Sequence, residues 1–292
     1  MIEIESKTIG AELTSLKFNG KEKIHNGKEY WNRHSPILFP VVGKLKDDRT
    51  IISSEEYKMK QHGFARDMEF KEIQKNNDEH KYVLKSSKET KKYYPYEFEL
   101  YVTYKIDNIM NEMKVKYEVI NKDKKQIKFG IGSHPAFVCN YSSGDYQIMF
   151  ERKEEEIEIL ELENGNIKDN NNNSNNEKIV VNNLKKYGII ELNEKSFNND
   201  AIILKNIKSN KCILKNINDN SENKEIIEVD FTGFPYLGIW SKKGAPFVCI
   251  EPWYSLADYA DSDGIFENKE NIIKLDIKQK FKCEYKIRIM EV

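Results

Sequence analysis

Two of the five histidines lie in surroundings that suit acid–base chemistry. His134 follows a turn at Gly132 and precedes Pro135, which favours extended backbone at the histidine and holds the imidazole rigidly at a strand end. His62 precedes Gly63, which permits a tight backbone beside the ring. Because imidazole titrates close to physiological pH, either ring is a candidate proton donor or acceptor. The residues alone leave open that each is an ordinary core or surface histidine.

Glu251 is the strongest candidate among the carboxyl groups. It ends the apolar run of residues 247–250 and comes just before Pro252 and Trp253. Burial beside an aromatic ring raises a carboxyl pKa, because the charged form loses its solvation, and such a group can act as an acid or base near neutrality. The alternative is a strand-end glutamate whose carboxyl group lies in water.

Four further charged residues are weaker candidates. Asp200 precedes the run AIIL and Asp230 ends the run IIEVD, and aspartate at such positions more often caps a turn. Arg66, four positions after His62, and Lys44 are charged donors that could bind hydroxyl groups or a phosphate.

The other three histidines carry no such signal. His25 and His80 lie in charged segments and are predicted to be exposed. His34 comes soon after Trp31 and Arg33 and is a candidate pocket residue with no evident partner.

Composition excludes several classes of protein. The 47 Lys and Arg residues are matched by 48 Asp and Glu, so the chain lacks the basic excess of a nucleic-acid-binding protein. The four cysteines show no metal-binding spacing and are predicted to be buried, reduced thiols. The N-terminal segment lacks the pattern of a signal peptide, and no apolar run approaches the ~20 residues that span a bilayer. We therefore expect a soluble, cytoplasmic protein with no nucleic-acid or membrane partner.

Alternation of apolar and polar residues dominates the chain and predicts an all-β fold. Residues 97–106, 112–119 and 281–289 alternate with period two, and turn formers at Asp107 and Asn108 join the first two into a predicted hairpin with one wet face. Further short strands, punctuated by Gly, Asn and Asp, indicate a sandwich or barrel. They are predicted near 11–18, 37–42, 68–74, 81–85, 127–133, 147–150, 157–162, 201–205, 211–215, 226–231, 236–241, 247–251 and 272–276.

Helical signals are weak. No stretch of twelve or more residues has a helical period, and only short helical turns are predicted, near 89–93 and 254–260. The Asn-rich segment at about 164–178 is predicted as an exposed loop, because a polar tract cannot build a core. The strands predicted before and after this loop have the same alternating pattern, so we expect a single domain over residues 1–292.

Six stretches resemble the aldose 1-epimerase (galactose mutarotase-like) superfamily, and most closely its LacX-like branch. HGFAR, SHPAF and IEPW together are specific, although none of the three is specific alone. The resemblance implies a galactose-mutarotase-like β-sandwich (a supersandwich) with an open cleft on one sheet. The stretches, in family order, are GAELTSL (10–16), YWNRHSPILFPVVGKLKD (30–47), QHGFARDMEF (61–70), GSHPAF (132–137), NDAIIL (199–204) and FPYLGIWSKKGAPFVCIEPW (234–253).

The resemblance also implies roles for individual residues. His134 matches the general acid of the family and Glu251 its general base. His62 matches the second site histidine, Asp200 an acidic residue that binds sugar hydroxyls, and Arg66 the arginine that orients substrate.

Two further positions bear on substrate recognition. Trp253 could stack on the sugar face. The segment FPxxG often continues with Arg in the family but continues here with Lys44, a point charge rather than a planar fork, so hydroxyl recognition could be looser or a phosphate could be favoured.

The expected function is therefore an aldose 1-epimerase (mutarotase), an isomerase that interconverts the α and β anomers of a hexose without metal or cofactor. The expected partner is a small-molecule sugar, and the expected state is a monomer or homodimer.

Alternative functions remain open from the sequence. A hexose-6-phosphate mutarotase would need cations converging at the cleft, for which Lys44, Lys46, Arg49 and Arg66 are the candidates. A sugar-binding module would keep the fold without turnover. A glycoside hydrolase would pair Glu251 with Asp200 or Asp230 across the bond, and a zinc site would use two histidines and a glutamate, although no tight ligand spacing is present.

Overall fold

The computed structural model describes residues 1–168, 175–218 and 224–291, and within these ranges the chain is built mainly of short β-strands. The strands are β1 (Ile2–Ser6), β2 (Leu13–Phe18), β3 (Lys21–Glu22), β4 (Ile37–Leu38), β5 (Arg49–Ile52), β6 (Glu55–Lys58), β7 (Lys71–Lys75), β8 (Glu79–Lys85), β9 (Phe98–Asp107), β10 (Glu112–Asn121), β11 (Ile127–Phe129), β12 (Gly132–Ser133), β13 (Ala136–Val138), β14 (Tyr146–Phe150), β15 (Glu158–Leu160), β16 (Leu162–Glu163), β17 (Asn166–Ile167), β18 (Ile189–Leu192), β19 (Ile202–Lys205), β20 (Lys211–Asn216), β21 (Glu225–Asp230), β22 (Tyr236–Trp240), β23 (Phe247–Trp253), β24 (Ile273–Leu275) and β25 (Lys280–Glu291).

The described residues form two large antiparallel sheets. The first, of nine strands, has the order β18-β14-β20-β21-β25-β10-β9-β8-β7. The second, of seven, has the order β15-β19-β22-β23-β12-β4, with β13 also paired to β23. Buried side chains from both sheets belong to one apolar cluster, and we therefore propose one domain for residues 1–292.

The predicted hairpin is confirmed. Strands β9 and β10 pair in register from Asp107 with Glu112 to Phe98 with Asn121, and alternate side chains of each strand are buried. The side chain of Asp107 accepts hydrogen bonds from the amides of Ile109 and Met110, which closes the turn. Alternation thus predicted which residues build the core here, since successive side chains point to opposite faces of a strand.

The strands that were not predicted are β1, β3, the β5–β6 hairpin, β13, β17 and β18, which is an edge strand of the nine-stranded sheet. Strand β1 does alternate, with Ile2 and Ile4 buried and Glu3 and Glu5 exposed, whereas the others are only two to four residues long and carry too short a pattern. The strand predicted at 37–42 is shorter than expected, because only the two residues of β4 pair in the sheet and the residues after them form a loop.

The helical predictions are partly wrong. Helix α1 spans Asn175–Tyr187, where no helix was expected, and the 254–260 segment has no helical turn. The turn near 89–93 is confirmed as a 3-10 helix at Thr90–Lys92. The other 3-10 turns lie at Lys46–Asp48, Ala65–Asp67, Tyr141–Ser143 and Phe266–Asn268.

Helix α1 was missed because its apolar strip is narrow. Leu184 is buried and Val180 and Val181 pack beside the core, while the rest of the helix is largely Asn, Lys and Glu. Gly188 ends the helix with a positive φ, and its amide donates to the carbonyl of Leu184.

The predicted Asn-rich loop at 164–178 is therefore shorter than expected. Residues 164–165 turn between β16 and β17, and the segment ends in the first turn of α1. Residues 169–174 lie outside the described residues.

Strand β23 positions the site. All seven of its residues are buried, because β22 flanks it on one side, β12 and β13 flank it on the other, and both of its faces are covered. Val248 and Ile250 point into the main core. Glu251 and Trp253 have the opposite parity and point to the other face of the sheet.

Candidate active site

A cavity of about 380 Å³ opens on the second face of β23, within the size range of sites that bind small molecules. Six of the seven residues predicted for the site line it. The lining residues are Trp31, Arg33, Gly43, Gln61, His62, Arg66, His134, Leu162, Gly165, Asp200, Ala201, Ile203, Trp240, Glu251, Trp253 and Ala257.

Two glycines make room for the indole of Trp253. The ring lies against Gly238 of β22 and Gly132 of β12, where an added Cβ would come within 2.6 Å and 2.8 Å of ring atoms. A side chain at either position would displace the indole, so these glycines shape the cavity floor. The indole Nε1 is buried and has no hydrogen-bond partner among the described residues.

Glu251 is buried with little to hold its charge. It is 1% exposed, and its Oε2 accepts no hydrogen bond from any described residue. Burial raises the pKa of Glu251 well above its usual value, and the charge of Asp200 raises it further, while Trp253 and Arg66 oppose the change. The cavity therefore favours the protonated carboxyl group.

His134 lies directly against this carboxyl group. Its Nε2 is 3.3 Å from Glu251 Oε2, and its other ring nitrogen is buried without a hydrogen-bond partner in the described chain. Burial and then the charge of Arg66 lower the pKa of His134 to about 3. The imidazole is therefore neutral at physiological pH while its neighbour holds the proton.

Two tryptophans enclose the His134 ring. The centroid of Trp31 lies 4.7 Å from it, and that of Trp240 lies 5.6 Å away with the planes nearly perpendicular. These contacts exclude water from one side of the imidazole and restrict its rotation.

The backbone of Gly43 fixes the His62 ring. The amide of Gly43 donates to Nδ1 at 3.1 Å, and the amide of His62 donates to the carbonyl of Gly43 at 2.8 Å. Burial, and then the charges of His134 and Arg66, lower the pKa of His62 well below its usual value. Because Nδ1 accepts a hydrogen bond, the neutral ring carries its proton on Nε2 and can donate it towards the cavity.

Arg66 reaches the cavity from a 3-10 turn. Its Nη2 donates to the carbonyl of Gln61 at 2.7 Å, and its Nε is buried without a partner in the described residues. Burial and the charge of Arg33 lower the pKa of Arg66 to about 10, so the guanidinium stays charged. Arg33 also lines the cavity and pairs with Asp67, with 2.7 Å between Nη2 and Oδ1.

Asp200 lines the mouth of the cavity, where its Oδ1 accepts a hydrogen bond from the amide of Ala201. Asp200 and His62 both have a positive φ, 73° and 66° respectively. Such backbone conformations cost free energy in residues other than glycine and cluster at functional sites.

Lys44 is the one predicted site residue that does not line this cavity. It lies in an adjoining open groove, and its Nζ donates to the carbonyl of Asn164 at 3.1 Å. The groove shares Gln61 and Asp200 with the cavity, so Lys44 is next to the site rather than in it.

The predicted cluster of four cations does not converge. Lys46 and Arg49 line a separate depression, where Lys46 donates to the carbonyl of Ser262 and Arg49 pairs with Glu56. Asp230 also lies outside the cavity lining, and it accepts hydrogen bonds from the amide and hydroxyl of Thr232. The turn-cap interpretation of Asp230 is thus confirmed.

The predictions for two other histidines are wrong. His25 and His80 are buried, although their sequence neighbours are charged. The ring of His25 packs on Phe247 and its Nε2 is 2.9 Å from the carbonyl of Trp31, while His80 Nδ1 is 2.7 Å from the hydroxyl of Ser6. His80 is buried because its side chain points inward from β8. His25 lies outside the strands, and its contacts with Phe247 and Trp31 bury it.

Four lining residues with polar or aromatic side chains were not recognised from the sequence, namely Trp31, Arg33, Gln61 and Trp240. The other lining residues that were not predicted are glycines or aliphatic. One signal was present, because the chain has only three tryptophans and all three line the cavity.

The arrangement is suited to proton transfer at neighbouring oxygens. A carboxyl oxygen and an imidazole nitrogen lie 3.3 Å apart at its centre, and two cationic or N–H donors, Arg66 and His62, line the cavity with them. Groups that are positioned and desolvated in this way can exchange protons with a bound hydroxyl compound.

The chain is similar to known proteins over most of its length. The family model for aldose 1-epimerase matches residues 2–268. The plasmid form of protein LacX from Lactococcus lactis subsp. lactis is 29% identical over 310 aligned positions, which cover 99% of this chain and 97% of that protein.

Two solved structures are similar over almost their whole length. A galactose mutarotase related enzyme from Lactobacillus acidophilus is 30% identical with a TM-score of 0.87, covering 100% of this chain and 95% of that one. A galactose mutarotase-like protein from Lactobacillus casei is 28% identical with a TM-score of 0.84, covering 99% and 97%. The predicted galactose-mutarotase-like β-sandwich is therefore confirmed, as is the resemblance to LacX.

Proposed function

The chain belongs to the aldose 1-epimerase family, and from that premise we propose that it interconverts the α and β anomers of a hexose by acid–base opening and closure of the sugar ring. The observation that carries the proposal is the contact between His134 Nε2 and Glu251 Oε2, 3.3 Å apart inside a cavity of about 380 Å³. The ring oxygen and the C1 hydroxyl are bonded to the same carbon, so two adjoining groups can each serve one of these oxygens.

Each proton in the reaction has a defined place. With the ring closed, protonated His134 donates to the ring oxygen while ionised Glu251 accepts the proton of the C1 hydroxyl, and the bond between C1 and the ring oxygen breaks. The open-chain aldehyde then faces a neutral imidazole and a protonated carboxyl group. Rotation about the C1–C2 bond presents the other face of the aldehyde, and the same two transfers in reverse close the ring.

The electrostatics of the cavity favour the open-chain intermediate. The pKa of His134 is lowered and that of Glu251 is raised, which is the pattern of a neutral imidazole beside a protonated carboxyl group. This is the protonation state that the open-chain complex requires. Binding of the closed sugar would therefore be accompanied by movement of one proton from Glu251 to His134.

The remaining lining residues would hold the sugar. The Nε2–H of His62 and the guanidinium of Arg66 can donate to sugar oxygens and stabilise negative charge that develops on them. Asp200 at the mouth can accept hydrogen bonds from hydroxyl groups. The face of Trp253 offers an apolar surface for the C–H face of a sugar.

Polarimetry tests the proposal. Fresh α-glucose or α-galactose should mutarotate faster with the protein than in buffer, and His134→Asn should lower the rate by about 10²–10⁴-fold. His80→Asn is the matched control, because His80 is also buried but bonds to Ser6 away from the cavity. Sugar binding without any acceleration would show a binding module and overturn the enzymatic proposal.

A phosphorylated hexose is a second candidate substrate. Arg33 and Arg66 line the cavity and Lys44 lies in the groove beside it, so three cationic side chains lie in or next to the site. A phosphate preference would appear as a lower KM for a hexose 6-phosphate than for the free hexose, with the advantage reduced in Lys44→Ala. Equal KM values for the two sugars would remove this candidate.

No helix among the described residues is long and apolar enough to cross a membrane. The cytoplasmic location and the choice between monomer and homodimer stay predictions.

A further inference from the structure

Cys249 adds a third donor atom to the pair at the centre of the cavity. It lies two residues before Glu251 on β23, so both side chains point to the same face of the sheet. One ligand atom from each of His134, Cys249 and Glu251 can be chosen so that all three lie within 4.8 Å of one another. All three residues are buried.

We infer that His134, Cys249 and Glu251 form a binding site for a soft divalent cation such as Zn²⁺, and that the cation blocks proton transfer when it is bound. Thiolate, imidazole and carboxylate are the three side-chain ligands that zinc uses, at about 2.0–2.3 Å. Tetrahedral ligation at those lengths places ligand atoms roughly 3.3–3.8 Å apart, so the present spacing needs to close by little more than about 1 Å.

Two of the three ligand residues carry buried polar atoms without a hydrogen bond in the described chain. Glu251 Oε2 and His134 Nδ1 are buried without a hydrogen bond from any described residue. Buried polar atoms normally have partners, and these two instead remain available to a ligand. The exposed acidic residues elsewhere on the surface lack this combination of burial and unpaired atoms.

The cavity leaves the fourth coordination position of the cation open. Three protein ligands with one open coordination position is the arrangement of zinc sites that exchange water or substrate. Here the open position faces the space where a sugar oxygen would lie, since His134 and Glu251 both line the cavity. Binding would release the thiol proton, and the carboxyl proton where present, to solvent.

The inhibitory consequence rests on the proposed function, whereas the binding site does not. A cation held by His134 and Glu251 occupies the lone pairs that the proposed reaction needs. Zn²⁺ would therefore compete with the sugar, and a chelator would restore the activity.

Cobalt provides a readout that is independent of activity. Titration of the intact protein with Co²⁺ should give one bound equivalent, with an intense thiolate-to-cobalt absorption band and the visible bands of tetrahedral cobalt. Cys249→Ala should abolish the thiolate band and weaken Zn²⁺ binding by at least about tenfold, since even outer-shell partners of a metal are worth about 10–100-fold. Cys249→Ser keeps the side-chain volume and should also lose the band.

Cys212→Ala is the matched control, because Cys212 is equally buried but lies on β20 in the other sheet. It should retain the band and the Zn²⁺ sensitivity of the unmodified chain. The proposal is overturned if no thiolate band forms, or if the band persists in Cys249→Ala. A band in a protein without mutarotase activity would leave the metal site standing and remove only the proposed function.

Discussion

Glu12 and Glu251 are buried to the same extent, each 1% exposed, yet their carboxyl groups differ in what surrounds them. Oε1 of Glu12 accepts hydrogen bonds from the amides of His34 and Ser35 at 2.7 Å and 3.3 Å. Its Oε2 lies 2.5 Å from the ammonium of Lys7. Glu251 has the imidazole of His134 beside it, and its Oε2 accepts no hydrogen bond among the described residues.

The two pKa values move in opposite directions for this reason. Burial alone would raise the pKa of Glu12, but its hydrogen bonds from His34 and Lys7 outweigh burial and lower the pKa to about 2. Burial is not opposed effectively at Glu251, whose pKa is raised well above its usual value. Partners rather than depth therefore separate a structural carboxylate from one that is available for chemistry.

The largest expected effect is on the reaction. Glu251→Gln keeps the shape of the side chain but removes the ionisable carboxyl group, so mutarotation should slow by about 10²–10⁴-fold. Its thermal stability at neutral pH should stay equal or rise, because the buried group no longer has to ionise or hold a proton. Polarimetry and a thermal melt on the same sample make this comparison. Activity near that of the unmodified chain would contradict the role of Glu251 as the base.

Glu12→Gln should have the opposite profile. Loss of a carboxylate whose pKa is lowered from 4.5 to about 2 should destabilise the fold by about 3 kcal/mol at neutral pH. The rate per folded molecule should change little, since Glu12 does not line the cavity.

The stabilisation that the Glu12 carboxylate gives the fold should depend on pH in a definite direction. Because the folded pKa of Glu12 is lowered, its contribution is present above about pH 4.5 and is lost as the pH falls towards about 2. Urea unfolding at pH 7 and pH 3 measures it, with the exposed Glu3→Gln as the control. A difference between Glu12→Gln and the unmodified chain that stays constant with pH would contradict the assignment.

A smaller effect is expected for His134 and Glu251, the pair at the centre of the cavity. Removing either group should make the free energy of unfolding change by about 1.4 kcal/mol per pH unit. Between about pH 4.5 and 6.5 the unfolded chain holds one proton on His134, whereas the folded chain holds one on Glu251, so the two shifts cancel. In Glu251→Gln only the lowered His134 pKa remains, and stability should fall as the pH drops below 6.5. In His134→Asn only the raised Glu251 pKa remains, and stability should fall as the pH rises above 4.5.

Denaturation curves of the three proteins at several pH values between 4.5 and 6.5 measure these slopes against one another. Parallel curves would show that the two groups do not share a proton.

Lys7→Ala should give the smallest effect. The ammonium of Lys7 contacts Glu12, but its side chain is 43% exposed, so solvent screens the ion pair and its loss should cost only about 0.2–1 kcal/mol. The backbone amides of His34 and Ser35 would still hold the carboxylate. A loss as large as that of Glu12→Gln would show that Lys7, not the amides, stabilises the charge.

Sequence patterns predicted the long alternating strands β9, β10 and β25 and the candidate residues at the ends of apolar runs. The sequence was sufficient to predict the β9–β10 hairpin, because local geometry determines it. The same holds for the placement of His134 and Glu251 beside prolines at the ends of apolar runs. The sequence was not sufficient to predict helix α1 or the burial of His25 and His80. It was also not sufficient to predict that Lys46 and Arg49 lie away from the cavity. Each of those depends on what the rest of the chain packs against the segment.

The sequence by itself determined the all-β character of the chain and the chemical identity of the groups available for proton transfer. Only the tertiary structure decided which carboxyl group is held as an anion and which can hold a proton, because loop residues distant in the chain, such as His34 and His134, lie beside these carboxyl groups. Glu12 and Glu251 are the same residue type, and each follows a buried apolar residue, but 22 residues separate Glu12 from the amide of His34 that helps to hold its charge. Hydrogen bonds and burial are properties of the folded surroundings, and they set the pKa on which the proposed chemistry depends.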